Sequence, residues 1–378
     1  MPARAVVIAQ CWREEIAPLD ASAAAAARER IDALTKPVGS LGRIEELAVQ
    51  LCAIAGGVPT HAYERRAILI GAGDHGVAED GVSAYPSEVT AQMVGGFVAG
   101  TAAINAFARA VRADVYVANF GVKTPLPPHP RLLDVLCGYA TANLARRAAI
   151  PRGDLGYVLA AGIAAFDEIA ERAPFDVLAL GDMGIANTTS AAAIVAAFTG
   201  APAETVVGRG TGIDDARLAR KIAVVKRALA RIEDVSAPRP GTVRSTPQRT
   251  RGADVWEQIA SEVGGYEIVG LAGVILTAAR ARIPVVLDGY IVAAAALIAG
   301  AIAPHALGYC IAAHRSREPG HALALDALGL RPLLDLDLAL GEASGAALAL
   351  PLIEAAARMV REMRTFAEAG VATKEDAR

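Results

Sequence analysis

Ala67-Ile68-Leu69-Ile70-Gly71-Ala72-Gly73-Asp74-His75-Gly76 is an aliphatic run that breaks at once into glycine and polar residues. A strand buried on both faces reads as such a run rather than as an alternation, and in a parallel sheet ligand-binding loops leave from the carboxyl ends of the strands. The pattern recurs downstream. Residues 115–118 run into Asn119-Phe120-Gly121, 177–180 into Gly181-Asp182-Met183-Gly184, 284–287 into Asp288-Gly289, and 307–312 into His314-Arg315-Ser316-Arg317-Glu318. Between these runs lie helical stretches at 92–110, 189–198, 213–232, 268–280 and 291–302. The alternation predicts an α/β fold with right-handed crossovers: a doubly wound, mainly parallel sheet with helices on both faces.

The ends differ from the middle. Asp20 or Ser22 can cap an Ala-rich helix through Leu34, and 351–366 reads as an amphipathic helix. Residues 1–60 and 345–378 are therefore expected to pair as a small helical domain beside an α/β domain of 61–344. The Pro-, Arg-, Ser- and Thr-rich segment 236–250 reads as an exposed loop. Composition agrees: 54% of residues are hydrophobic but only 4% aromatic, which suits Ala-rich helices on aliphatic strands. The net charge of −3 is interspersed, so no basic face is offered to nucleic acid and no polybasic tract to anionic lipid. Cys11, Cys52, Cys137 and Cys310 form no CxxC pair, which argues against a zinc site and a disulfide framework and fits a reducing compartment. The N-terminal residues lack the order of a signal peptide, so a cytoplasmic location is expected. Residues 291–313 approach the length of a membrane span, but Pro304 and His305 interrupt them, and they read as core helix and strand.

Several motifs can carry chemistry. Asp182-Met183-Gly184-Ile185-Ala186-Asn187-Thr188-Thr189 leaves small residues and exposed amides where a helix begins, an arrangement that attracts phosphate and equally one that Asn187, Thr188 or Thr189 could simply cap. Gly208-Arg209-Gly210-Thr211-Gly212 is a second glycine turn, leading into a helix that carries Lys221. Gly73-Asp74-His75-Gly76 joins a carboxylate and an imidazole, for catalysis or for holding its own loop. Gly81-Val82-Ser83-Ala84-Tyr85-Pro86 and Val89-Thr90-Ala91-Gln92 supply an aromatic ring and hydrogen-bonding groups without net charge that would suit a flat heteroaromatic ligand, although Tyr85 reads equally as a half-buried packing aromatic. Glu342, in Leu340-Gly341-Glu342-Ala343-Ser344-Gly345, is a carboxylate among small apolar residues; desolvation there would make it a proton acceptor near neutral pH, and its alternative is an acid interacting with helix-start amides. No cluster of metal ligands is apparent, and no metal or cofactor is expected.

Taken in order, these motifs resemble the nicotinate-nucleotide:dimethylbenzimidazole phosphoribosyltransferase family. The resemblance runs through Thr35-Lys36-Pro37-Val38-Gly39-Ser40-Leu41-Gly42-Arg43-Ile44-Glu45, Gly73-Asp74-His75-Gly76-Val77, Tyr85-Pro86, Val89-Thr90-Ala91-Gln92-Met93, Gly184-Ile185-Ala186-Asn187-Thr188-Thr189, Gly208-Arg209-Gly210-Thr211-Gly212, Leu287-Asp288-Gly289, His314-Arg315-Ser316-Arg317-Glu318-Pro319-Gly320-His321, Pro332-Leu333-Leu334-Asp335-Leu336 and Leu340-Gly341-Glu342. It implies a Rossmann-like sheet, a small helical domain from both chain ends, and a homodimer. It also implies Glu342 as general base, Ser83, Tyr85 and Gln92 at the benzimidazole, and Asp182, Gly184, Ile185, Ala186, Asn187, Thr188, Gly210 and Lys221 around the nucleotide and its phosphate. Asp182 stands where similar enzymes usually have Glu, Ala186 and Ala343 where they have Gly, and Gly95-Gly96-Phe97 lacks their Asn. The two alanines fit only where φ need not be positive.

The implied reaction moves the ribose phosphate of nicotinate mononucleotide to 5,6-dimethylbenzimidazole with inversion at C1′. Other readings are a paralogue using another base or a phenolic acceptor, a non-catalytic nucleotide-binding protein of this fold, and a membrane transporter exploiting 291–313.

Overall fold

The computed structural model describes residues 10–210, 212–232 and 255–372; the expected loop at 236–250 and Thr211 lie outside them. Six parallel strands form the central sheet: β1 (Arg66–Gly73), β2 (Ala113–Gly121), β3 (Leu132–Asp134), β4 (Val177–Met183), β5 (Val285–Leu287) and β6 (Cys310–Ala312). Their order is β3-β2-β1-β4-β5-β6, so the winding reverses between β1 and β4. In a doubly wound sheet that reversal opens a crevice at the carboxyl ends of the two middle strands, where ligands bind. A separate two-stranded sheet pairs β7 (His314–Ser316) with β8 (Leu334–Leu338).

Alternation along the strands separates two cores. Ala67, Leu69, Tyr116, Ala118, Leu178, Leu180, Val285 and Leu287 face one cluster, while Ile68, Ile70, Val117, Val177, Ala179, Val286 and Ile311 face the other. Among the described residues, the helices of eight or more residues are α1 (Ala21–Ala33), α2 (Arg43–Ala55), α3 (Glu88–Ala99), α4 (Ala103–Ala110), α5 (Leu155–Arg172), α6 (Asn187–Thr199), α7 (Asp215–Leu229), α8 (Val255–Val263), α9 (Tyr266–Arg280), α10 (Tyr290–Ile302), α11 (Pro319–Leu328) and α12 (Ser344–Glu362). Buried residues of α5 to α11 fill the first core, and those of α1 to α4 and α12 fill the second. The terminal helices α1, α2 and α12 therefore lie mainly on one face of the sheet, tied further by a bridge between Leu34 and Thr365, whereas Trp12 and Ile16 ahead of α1 pack in the first core.

Three expectations are corrected by local chemistry. The single helix expected at 92–110 is two, because Gly100 turns left-handed at φ 80° and the Asn105 side chain accepts from the Ala102 amide to start α4. The strand expected at 307–312 is strand only from Cys310; Pro304–Tyr309 is a 3₁₀ turn whose Gly308 carbonyl accepts from Gln50. The C-terminal helix begins at Ser344, not Pro351, since the Asp288 carboxylate caps its first turn by accepting from the Ala346 amide at 2.9 Å. The apolar stretch at 291–313 contributes the 13-residue α10, which is buried and well short of a span.

Candidate active site at the sheet reversal

Two glycines bring the distant Glu342 loop onto the end of β4. A Cβ on Gly181 would overlap the Ala343 backbone nitrogen, and one on Gly341 would sit 3.2 Å from Asp182 Oδ1. Residues 341–343 thus lie directly against 181–182, from which the 184–188 turn continues into α6. That turn is in turn pressed on β1, because a Cβ on Gly184 would overlap the Gly73 carbonyl oxygen. Thr90 of α3 completes the junction: its hydroxyl donates to Asp74 Oδ1 at 2.6 Å and accepts from the Ile185 amide at 3.1 Å.

The floor of this crevice is acidic. Asp74, Asp182, Glu267, Asp288 and Glu342 are all buried, and His75 is the imidazole among them. His75 Nε2 lies 2.6 Å from Glu267 Oε1, and although burial pushes the His75 pKa down, this neighbour raises it above its ordinary value overall. Burial drives Asp182 well above the usual carboxylate range, reinforced by the charges of Asp288 and Glu267, while Asn187 Nδ2 donates to its Oδ2 at 2.8 Å. Burial lifts Asp288 to about 7 and Glu342 to about 7. A carboxyl poised there takes or yields a proton at neutral pH. Asp182 Oδ1, Asp288 Oδ2, Glu267 Oε2 and His75 Nδ1 have no partner among the described residues. Buried polar atoms are normally paired, so their concentration at one sheet edge marks a place built for polar contacts from outside the chain.

A cationic cradle adjoins this floor. Lys221 is 1% exposed; its Nζ donates to Thr188 Oγ1 at 2.8 Å and to the Gly208 carbonyl at 3.1 Å, and burial lowers its pKa to about 8. Gly210, at φ 52°, folds over this pair, and its amide donates to Glu318 Oε1 at 2.9 Å. Gly184, Ile185, Ala186, Asn187, Thr188, Gly210 and Lys221 are therefore gathered on one side, with Asp182 and Glu342 against them. Ala186 and Ala343 both take positive φ, 72° and 63°, contrary to the condition set for alanine there; glycine would relieve both.

Ser83 and Tyr85 sit on the segment that leads into α3 and Gln92 within α3 itself, which Thr90 ties to the crevice. The Ser83 hydroxyl accepts from the Tyr85 amide, Ser83 is half-buried, and Tyr85 and Gln92 are exposed. No described hydrogen bond joins their side chains to the Glu342 loop. Glu267 went unnoticed in the sequence, where its signal was an acid inside the otherwise apolar run of α9. Glu318 was visible only as part of a motif.

Similarity to known proteins extends across almost the whole chain. A family model described as Phosphoribosyltransferase matches residues 16–371. The chain is 51% identical to the nicotinate-nucleotide–dimethylbenzimidazole phosphoribosyltransferase of Chloroflexus aggregans, covering 96% of this chain and 97% of that protein. It is 49% identical to the protein of the same name from Thermus thermophilus, covering 93% and 99%. A crystal structure of CobT from Thermus thermophilus superposes with a TM-score of 0.84 at 48% identity, over 93% of this chain and 99% of that one.

Proposed function

Since the chain belongs to the nicotinate-nucleotide–dimethylbenzimidazole phosphoribosyltransferase family, we propose that it transfers the 5-phosphoribosyl group of nicotinate mononucleotide to 5,6-dimethylbenzimidazole, releasing nicotinate and forming α-ribazole 5′-phosphate for cobalamin. The observation that carries this reading is the position of Glu342, a carboxyl with a pKa raised to about 7, on the same sheet edge as the Thr188–Lys221 cradle.

The chemistry asks for little else. Nicotinate leaves from a pyridinium nitrogen and needs no proton. The acceptor attacks C1′ with its unprotonated nitrogen, and the proton on its other nitrogen is taken by Glu342 as positive charge develops. Attack opposite the leaving base inverts C1′. The 184–188 turn, Gly210 and Lys221 hold the phosphate and fix the sugar, which converts binding into alignment. Ser83, Tyr85 and Gln92 receive the flat acceptor, and Asp182 lines the floor between the two substrates.

The protein is expected to work as a cytoplasmic homodimer. Support for the dimer lies in the apolar run Glu88–Ala110, most of whose residues are not buried within the chain. No cofactor or metal enters this scheme.

The test is direct. The purified chain, given nicotinate mononucleotide and a panel of acceptors including dimethylbenzimidazole, should release nicotinate and build the α-nucleotide. Glu342→Gln should bind the nucleotide as before but turn over roughly a hundredfold more slowly or worse, the scale of a lost general base. Undiminished turnover in the variant, or no nicotinate release by the wild type, overturns the assignment.

A further inference from the structure

Glu318 takes no part in the scheme above, yet its carboxylate lies inside the cradle. One oxygen is fixed, since Oε1 accepts from the Gly210 amide at 2.9 Å. The other, Oε2, is buried and accepts from no described group. A Cβ on Gly208 would overlap this oxygen, so the glycine turn is shaped around the carboxylate. Lys221 feels this charge without touching it: the Glu318 carboxylate partly offsets the lowering of the Lys221 pKa by burial, but Nζ donates its hydrogen bonds to Thr188 and the Gly208 carbonyl and none to Glu318 among the described residues. The backbone behind Glu318 is also anchored. Its amide donates to Ser316 Oγ at 3.3 Å, Ser316 donates its amide to His321 Nδ1 at 2.9 Å, and α11 starts at the next residue.

An ionised carboxylate can only accept hydrogen bonds, and it repels phosphate. Its unpartnered oxygen therefore calls for a neutral donor. A mononucleotide whose phosphate lies in this cradle carries such donors nearby, on its sugar. We propose that Glu318 is a specificity-determining residue that accepts a hydrogen bond from a ribose hydroxyl of the bound nucleotide, and so selects ribonucleotides over deoxyribonucleotides. The proposal rests on the nucleotide reading of the site given above.

The experiment measures binding by calorimetry, and turnover, for nicotinate mononucleotide and its 2′-deoxy and 3′-deoxy forms, with the wild type, Glu318→Gln and Glu318→Ala. Leaving a buried acceptor unpaired should cost the wild type roughly tenfold to a hundredfold in affinity for one deoxy form. Glu318→Ala should weaken the parent nucleotide and bring that ratio close to one. Glu318→Gln keeps an acceptor for Gly210, so it guards against a variant that merely fails to fold, and it should shrink the ratio while melting like the wild type. Equal affinity for all three nucleotides in the wild type overturns the proposal without any variant. So does an unchanged ratio in a folded variant, or tighter binding of the parent nucleotide by Glu318→Gln, which would mean that the carboxylate only occupies the phosphate position. A wild type that binds no form of the nucleotide removes the underlying functional reading as well, which separates the two failures.

Discussion

Glu342 and Ala186 show what burial and backbone geometry ask of single residues. The Glu342 carboxyl has an ordinary value of 4.5 and is lifted by burial to about 7, so in the folded protein it holds its proton over a range where the unfolded chain has lost it. Folding is favoured by that group at low pH, and the advantage is lost as pH rises from about 4.5 through about 7. Two consequences follow with opposite appearance. Turnover should climb with pH through about 7 as the base is freed, while Glu342→Gln should raise the melting temperature more at pH 8 than at pH 5; equal gains at both would contradict a desolvated carboxyl. Ala186, at φ 72°, bears the cost of a left-handed alanine, about 1–2 kcal/mol, against a smaller entropic penalty for glycine. Ala186→Gly should therefore stabilise the fold by about 0.5–1 kcal/mol in urea titration. Sequence alone could flag the missing glycine but not the sign of φ, because a positive φ is imposed by the turn that joins β4 to α6. The same limit hid Glu267, whose partner His75 lies 192 residues away.

At the scale of elements, strands were legible wherever aliphatic runs met glycine, and β1, β2, β4 and β5 emerge within a few residues of the expected positions. Elements fixed by distant partners were not. The start of α12 depends on Asp288, which lies 58 residues before the Ala346 amide it accepts from, and β3 consists of three residues held by β2 beside a Pro-rich stretch. Others carried a signal that could have been used: Leu334-Asp335-Leu336-Asp337-Leu338 alternates as β8 should, and Leu155, Val158, Leu159, Gly162, Ala165, Phe166 and Ile169 follow the helical period of α5. The glycine of β4 at 181 is where strand and site chemistry meet, since its missing side chain admits the 341–343 loop. Gly181→Ala should push that loop outward, costing about 1–3 kcal/mol of stability and reducing turnover more than nucleotide affinity. A variant with normal kcat would show that the loop's seat on β4 does not set the position of Glu342.

For the whole molecule, the helices from both chain ends share a core with the sheet: Ile31, Leu47, Leu350 and Ile353 pack in the cluster that holds Ile68, Ile70 and Ala179. We propose that the division into a helical unit of 1–60 and 345–378 and an α/β unit of 61–344 is one of architecture, with the two unfolding together. The opposite edge of that layer is less complete. In α3 and α4, Gly95, Ala99, Ala103 and Ala106 are exposed on a run with mean hydropathy 1.2, and the exposed Gln92 belongs to α3. A second copy of the chain would cover this surface, since a net charge of −3 offers little repulsion between copies and the two consecutive helices, of 12 and 8 residues, extend about 18 Å and about 12 Å along one exposed flank. Light scattering should accordingly return twice the chain mass at micromolar concentration. Charging the run with Ala99→Arg and Ala103→Arg together should yield a folded monomer. Because Ser83, Tyr85 and Gln92 border the same surface whereas Lys221 and Thr188 are held within one chain, that monomer should lose acceptor affinity, seen as a raised KM for dimethylbenzimidazole, and keep its affinity for the nucleotide. A variant that stays dimeric, or one whose nucleotide binding falls in step with its acceptor binding, would place the interface elsewhere.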